Sequence, residues 1–340
     1  MNRISCLLTA ISVLLISSCN KKSDVVITPV TLQLPSTLFN YSGVVFPAHI
    51  ANFLPPVDNT PLDNAITNSG ATLGRVLFYD THLSKNNTIS CASCHKSENS
   101  FSDAAQFSKG FVGGLTSRAS ISIMNERFYK SGKMFWDERA ATLEEQVLIP
   151  IQNSVEMGMT LNELVTTVSS QSYYPALFES AFGSGEVTTT KISKALSQFI
   201  RSMVTFQSKY DRVKQGLEIF STDEAAGEQI FLTRGAVTCG GCHTPPMFIT
   251  SAPQAPFALL DPTDLGINNQ GRFKSSTLRN IVQTAPYFHN GSVISLNAML
   301  ASNIPAHGVP PQDRAPILAF LNTLTDNTIT TDPKFSNPFK

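Results

Sequence analysis

Two copies of one five-residue pattern decide how this chain folds: CASCH at residues 91–95 and CGGCH at residues 239–243. Two residues between the thiols place both sulfurs on one helical turn, and a histidine follows directly. This spacing is typical of a covalently attached c-type haem, in which thioether bonds hold the porphyrin and the histidine binds the iron. The sequence therefore predicts two covalent c-type haems, bound by Cys91, Cys94 and His95 and by Cys239, Cys242 and His243.

Three other interpretations of this pattern fit less well. A structural zinc site would use the four cysteines but would leave both following histidines unexplained. A redox-active dithiol is typical of a thioredoxin-like βαβ unit, and the sequence shows no such unit. A chance origin is hard to reconcile with a pattern that occurs twice.

The N-terminus predicts export. A short basic start precedes an apolar run that is shorter than a typical membrane span, so residues 1–18 are predicted to be a signal peptide. The last residues of this run resemble a bacterial lipobox, which would make Cys19 the lipidated first residue of the mature protein. A plain signal peptide and a retained anchor are the alternatives. Residues 19–58 are rich in Pro, Thr, Ser and Asn, which predicts a flexible tether.

Composition excludes some classes of partner. The chain is 42% hydrophobic and 15% charged, as in ordinary globular proteins. Its 25 basic and 25 acidic residues give a formal net charge of zero, without blocks of like charge. No nucleic acid is therefore expected as a partner, and no anionic surface attracts the folded body.

Helical periodicity predicts a mainly α fold. No strand pattern of useful length occurs. Each haem motif lies in its own series of helices and loops, which predicts two cytochrome c-like domains at residues 59–212 and 213–340. Helices are predicted at residues 62–80, 142–149 (ended by Pro150), 161–168, 190–213, 223–233 and 311–324.

Several sequence blocks resemble the bacterial di-haem cytochrome c peroxidases, a family that includes the maturase of methylamine dehydrogenase. The resemblance extends over residues 73–324, nearly the whole mature body. The blocks are LGRVLFYD (73–80), FWDERAATLEEQ (135–146), PIQNSVEM (150–157), LRNI (278–281) and TAPYFHNG (284–291).

The resemblance assigns different roles to the two haems. It implies that the N-terminal haem reacts with hydrogen peroxide and that the C-terminal haem receives electrons from a small cytochrome c or a cupredoxin. Trp136 matches a tryptophan between the haems, although it could equally be a core anchor at the domain interface. Gln146 and Glu156 match a polar pair on the open face of the peroxidatic haem, so both are expected to be catalytic. Without the resemblance, Glu156 would be interpreted as a solvated charge at a helix end.

The chain departs from the family at the first haem. Many members have a histidine sixteen residues after the first haem-binding histidine, where it blocks the iron until the second haem is reduced. Phe111 occupies that position here, and a phenylalanine cannot bind iron. We therefore expect a five-coordinate, permanently open iron at His95.

The sixth ligand of the second haem also departs from the family, which places Met or Tyr there. Counting forward from His289 leads to Asn303, a poor ligand. Met299 is the preferred substitute, because a small helix shift would bring it to the iron and it would raise the potential. His307 and, in the loop after His243, Met247 are alternatives. His289 is expected near a haem propionate or the interface and not on iron.

The resemblance allows a calcium ion, but the sequence lacks one of the expected ligands. Some relatives hold a calcium ion between the domains through an asparagine side chain and backbone carbonyls. Thr284 and Pro286 match the carbonyl positions, but Ala119 replaces the asparagine.

The sequence favours a lipid-anchored di-haem peroxidase on the periplasmic side of a bacterial membrane, and a homodimer is one assembly it allows. A maturase-like oxidase that oxidises side chains of a partner protein is the second hypothesis. The open first haem favours it, whereas the absence of Tyr at Asn303 does not. A plain electron carrier is the third, and it would require two saturated haems and no role for Glu156.

Overall fold

Helices account for nearly all regular structure in this computed structural model, which describes residues 31–233, 238–249, 262–304 and 307–340. Within these ranges only isolated β-bridges occur and no strand forms, which confirms the mainly α fold. The α-helices of the described residues are α1 (Ala48–Ala51), α2 (Asn68–Tyr79), α3 (Cys91–Cys94), α4 (Leu143–Gln146), α5 (Ile149–Gln152), α6 (Leu161–Ser170), α7 (Tyr174–Phe182), α8 (Thr189–Ser202), α9 (Lys209–Lys214), α10 (Thr222–Thr233), α11 (Cys239–Cys242), α12 (Leu296–Ala301), α13 (Pro311–Thr323) and α14 (Thr328–Thr331).

The same kind of close helix crossing occurs at two places in the chain. Helix α2 packs against α8, and a Cβ added at Gly74 would lie 2.0 Å from the carbonyl oxygen of Ala195. Helix α10 packs against α13 in the same way, since a Cβ at Gly227 would lie 2.0 Å from the carbonyl oxygen of Pro316. Only glycine permits such a close backbone approach. Each haem motif therefore follows a helix that is locked into a crossing pair.

The core consists of three hydrophobic clusters. The largest surrounds α2, α7 and α8, and the second surrounds α10 and α13. A third cluster joins residues of both haem regions, among them Ile50, Tyr129 and Met247. Residues Leu32–Lys340 form one compact unit by their contacts, so the division into two domains stays a prediction. No helix in the described ranges is both long and apolar enough to cross a membrane.

Helix boundaries differ from the sequence-based prediction where the chain turns within a periodic stretch. Pro150 lies in the first turn of α5 and does not end the preceding helix, because proline suits a helix start. The predicted helix at 190–213 is two helices, α8 and α9, separated by the non-helical residues 203–208. Apolar spacing continues through both breaks, so periodicity alone does not reveal them.

The predicted signal peptide (1–18) and Cys19 lie outside the described residues. The structure corrects the second half of the predicted tether, because residues 31–58 pack on the body: Tyr41 and Ile50 are buried. The Tyr41 hydroxyl donates to the carbonyl oxygen of Lys334 at 2.6 Å. The end of the predicted C-terminal domain is corrected as well, since Ile329 and Phe335 belong to the first cluster. Such long-range packing leaves no periodic signal in either segment.

Candidate functional site

The two CxxCH motifs have the same local structure. Each forms a one-turn helix, α3 or α11, after an extended residue, and the backbone N–H of the following histidine donates to the carbonyl oxygen of the first cysteine at 2.9 Å and 2.8 Å. His95 and His243 leave their helices with nearly identical backbone angles, φ −111°, ψ 75° and φ −113°, ψ 76°. None of the four cysteines is in a disulfide. This geometry leaves the thiols available for thioether bonds.

Both histidines are suited to bind a metal as neutral imidazoles. The Nδ1 atom of His95 lies 3.1 Å from the carbonyl oxygen of Phe101, so Nδ1 carries the proton and Nε2 is left as the ligand atom. The Nδ1 atom of His243 lies 3.3 Å from the Ser275 hydroxyl. Burial lowers the pKa of His95, and burial together with the nearby His307 lowers the pKa of His243 to about 4. No cluster of three or more His, Cys, Asp or Glu side chains offers another metal site in the described ranges. The residues therefore fit two c-type haems.

Cys239, Cys242 and His243 line a cavity with mainly apolar walls, which we call the His243 cavity. Met299 on α12 and His307 also line it, so both predicted sixth ligands face the same space. The structure corrects the third candidate, because Met247 is fully buried in the cluster that joins the two regions. Asn303 is exposed and does not line the cavity.

A second and more polar cavity, the His95 cavity, contains His95. Gln146, Glu156 and Arg139 line it, so the structure brings the two predicted catalytic side chains together. Trp136 lines both cavities, and so does Lys274. His289 lines the His243 cavity, where its ring stacks on that of Phe273 at 3.7 Å.

Glu156 is held in place by a tight turn after α5. The Asn153 side chain accepts from the backbone N–H groups of Val155 and Glu156 at 2.8 Å and 3.2 Å. Burial raises the pKa of Glu156, and the positive charge of Arg139 partly opposes that rise. Burial, and to a lesser degree the Glu156 charge, raise the pKa of Cys94, which places this carboxylate beside the first haem motif. A carboxylate with a raised pKa in a cavity can both accept and return a proton.

Phe111 is held outside the lining of the His95 cavity. Its backbone N–H donates to the carbonyl oxygen of Glu156 at 3.0 Å, and its carbonyl accepts from the Asn86 side chain at 2.7 Å. Its ring packs over Gly158 and does not line the cavity. The loop that carries Phe111 is thus docked on the turn that carries Glu156.

Trp136 lies at the tip of a narrow loop that is closed by pairing between Met134 and Ala140. Its indole Nε1 donates to the carbonyl oxygen of Ala119 at 2.8 Å. Phe135 and Glu138 on either side have positive φ angles of 71° and 57°, a costly conformation for residues with side chains. Such strain is typical of functional loops.

The predicted calcium region is occupied by an ion-pair network. Arg118, next to Ala119, contacts Asp137 at 2.7 Å and Asp264 at 2.7 Å. The guanidinium therefore links the Trp136 loop to the C-terminal part of the chain through charge. Calcium binding through Thr284 and Pro286 stays a prediction.

Sequence reasoning missed Arg139, Lys274 and Glu126 as members of the His95 cavity. Arg139 lies within the block 135–146, and Lys274 precedes the block 278–281. Both residues are therefore in or near a block that resembles the family. Glu126 lies in no recognised block. Charged residues are usually solvated, and the burial of Lys274 and Glu126 depends on long-range packing that a local pattern does not show.

Comparison with known protein families places the chain. The family model described as di-haem cytochrome c peroxidase matches residues 68–218, and one described as RoxA-like, cytochrome c-like matches residues 273–305. Cytochrome c551 peroxidase of Nitrosomonas europaea is 34% identical over 283 residues, which cover 79% of this chain and 82% of that protein. Methylamine utilization protein MauG of Methylophilus methylotrophus is 30% identical over 250 residues, covering 71% of this chain and 73% of that protein.

Solved structures agree with these matches. A crystal structure of a MauG-like protein associated with microbial copper homeostasis aligns with a TM-score of 0.76 and 30% identity, covering 88% of this chain and 99% of that one. The resemblance that the sequence blocks indicated is confirmed. The chain belongs to the di-haem cytochrome c peroxidase family and is an oxidoreductase of the peroxidase type.

Proposed function

We propose that this chain reduces hydrogen peroxide to water at the His95 cavity, with electrons that a small cytochrome c or a cupredoxin delivers at the His243 cavity. One observation carries the proposal: Gln146 and Glu156 line the cavity of one haem histidine, and Trp136 lines that cavity and the one beside it. Two c-type haems, each bound through its CxxCH motif, supply the iron chemistry of this reaction.

The residues of the His95 cavity move protons and orient peroxide. Peroxide must lose a proton from one oxygen and gain one on the other before the O–O bond breaks, so two electrons and two protons in total yield two waters. Glu156 accepts the first proton and returns it to the departing oxygen, a task that its raised pKa supports. Gln146 has an amide that can donate to one oxygen and accept from the other. Arg139 limits the rise in the pKa of Glu156.

Stopped-flow spectroscopy of the haem-loaded protein tests this function. With peroxide and a reduced small cytochrome, the wild type is expected to oxidise the cytochrome rapidly, and Glu156→Gln to do so about 10²–10⁴-fold more slowly, the range for a lost acid–base group. The spectrum of the oxidised resting protein should not change in this variant. Equal rates for the two proteins would overturn the role of Glu156.

A maturase-like oxidase is the second candidate, and the likeness to MauG proteins at 30% identity favours it. The absence of Phe111 from the lining of the His95 cavity also supports an open iron, which this function requires. In this function the oxidised protein removes electrons from side chains of a partner protein. A long-lived oxidised intermediate that ignores the reduced cytochrome would support the maturase, whereas rapid decay by cytochrome oxidation supports the peroxidase.

For the second iron we propose Met299 as the sixth ligand, because α12 holds it facing the His243 cavity. His307 is the competing ligand. Met299→Ala should convert the His243 haem from a low-spin to a high-spin spectrum, and His307→Ala should leave it low-spin. A low-spin spectrum in Met299→Ala together with a high-spin spectrum in His307→Ala would identify His307 as the sixth ligand.

We further propose that the protein is exported and anchored by lipid at Cys19, facing the periplasm. The lipobox-like residues before Cys19 support this location. Cys19→Ala should abolish incorporation of labelled palmitate and release the protein from the membrane fraction. A membrane-bound, unlabelled wild type would contradict the anchor.

A further inference from the structure

A buried ion pair lies between the two cavities. The Lys274 ammonium contacts the Glu126 carboxylate, and their side chains are only 2% and 4% exposed. Lys274 lines both cavities, whereas Glu126 lines only the His95 cavity. The carboxylate is thus on the side of the His95 cavity, and the residue that carries the ammonium is shared by the two cavities.

The lysine is fixed by further contacts. Its backbone N–H donates to the carbonyl oxygen of Trp136 at 2.8 Å. Its Nζ atom lies 4.2 Å from the centre of the Tyr129 ring and 3.6 Å from the sulfur of Met134. These contacts hold the backbone of Lys274 beside Trp136 and its ammonium among Glu126, Tyr129 and Met134.

Within the described part of the chain, the Oε1 atom of Glu126 is buried and makes no hydrogen bond. Lys274 is therefore the main compensation of the carboxylate charge. A buried charge pair is costly to desolvate, and an apolar pair of the same volume is often as stable. Retention of such a pair between two redox sites suggests an electrostatic role, because charges in a low-dielectric interior act over several ångströms.

We propose that the Glu126–Lys274 pair separates the reduction potentials of the two haems. Oxidation adds positive charge to a haem, so a carboxylate beside the His95 haem lowers its potential and favours its oxidised form. The Lys274 charge, on a residue that also lines the His243 cavity, raises the potential of the His243 haem and favours its acceptance of an electron. The pair thus assists both halves of the proposed function, on which this inference rests. Glu126 and Lys274 are tuning residues, since they act on the haems through their charge.

A spectroscopic redox titration of the two-haem protein tests the proposal without any turnover. Glu126→Gln should raise the potential of the His95 haem so that, at fixed applied potential, its ratio of reduced to oxidised form increases about tenfold, or ~59 mV for one electron. Lys274→Met should lower the potential of the His243 haem. The double variant removes both charges at nearly constant volume, so it should fold and show a narrower separation than the wild type.

The exposed pair Lys85 and Glu163 provides the matched control, since its side chains are 50% and 40% exposed. Lys85→Met with Glu163→Gln makes the same change of charge in solvent, where screening is strong, and should leave both potentials unchanged. Unchanged potentials in both Glu126→Gln and the double variant would overturn the proposal. The absorption spectrum of the wild-type protein shows whether it binds two haems. A wild type without two haems would contradict the proposed function and not the role of the ion pair.

Discussion

The regions around His95 and His243 share a scaffold but differ in their cavities. Both place a one-turn CxxC helix after one member of a glycine-locked helix crossing, with nearly the same backbone angles at the histidine. The His95 cavity, however, is lined by Gln146, Glu156 and Arg139, whereas apolar side chains dominate the His243 cavity. Two CxxCH motifs with the same local structure thus lie beside cavities of different polarity.

The difference between the two linings predicts which haem region reacts with peroxide. Peroxide reduction needs a proton acceptor and hydrogen bonds to two oxygens, and Glu156 and Gln146 of the His95 cavity are suited to provide them. Electron transfer needs neither, and an apolar lining with a sixth ligand limits rearrangement around the iron. The CxxCH motif does not distinguish the two regions, whereas the residues that line the cavity beside it do.

The largest expected effect comes from making the first cavity resemble the second. Gln146→Leu combined with Glu156→Leu removes both polar side chains, so peroxide turnover should fall by about 10²–10⁴ or more. Reduction of the His243 haem by the donor should keep its wild-type rate, because that cavity is untouched. Stopped-flow traces at wavelengths that separate the two haems measure both.

Gln152→Leu with Glu179→Leu is the control for that variant, since both residues are exposed. It should retain turnover. The Gln146→Leu and Glu156→Leu variant could slow reduction of the His243 haem as much as it slows turnover. That result would show that the two regions are not independent.

A smaller effect tests the shared scaffold. Gly74→Ala and Gly227→Ala each place a Cβ 2.0 Å from a carbonyl oxygen, so each should lower the free energy of unfolding by about 1–3 kcal/mol. An ordinary helical glycine behaves in the opposite way, because alanine stabilises it by roughly 0.5–1 kcal/mol. Chemical denaturation of the haem-loaded protein, followed by circular dichroism, gives the sign. Stabilisation by either substitution would show that its crossing can relax.

Much of this architecture could be predicted from the sequence. The CxxCH spacing locates both haem helices, and helical periodicity gives α6, α10 and α13 to within a few residues. The path of residues 31–58 and of the C-terminal tail could not be predicted, because their packing depends on contacts such as that between Tyr41 and Lys334, which are far apart in sequence.

The candidate site was predicted less completely. Gln146, Glu156 and Trp136 were located through their blocks, although their catalytic roles stay predictions. Lys274 and Glu126 were missed, because a lysine or glutamate in a sequence is normally interpreted as solvated. Only the fold shows that these two are buried against each other.

The smallest effect concerns the pH dependence of the His95 cavity. Glu156 must be ionised to accept a proton, so kcat/KM for peroxide should fall as the pH drops through its pKa, which burial raises. Arg139 opposes that rise, and it stacks on the Phe135 ring at 3.6 Å. Arg139→Met keeps an apolar contact there but removes the charge, so the acidic limb should move to higher pH while the plateau changes little. Lys133→Met, an exposed change of the same charge, should leave the profile in place. If the acidic limb stayed fixed or moved to lower pH in Arg139→Met, Glu156 would not be the group that accepts the proton. The polarity of this cavity would then have no catalytic reason.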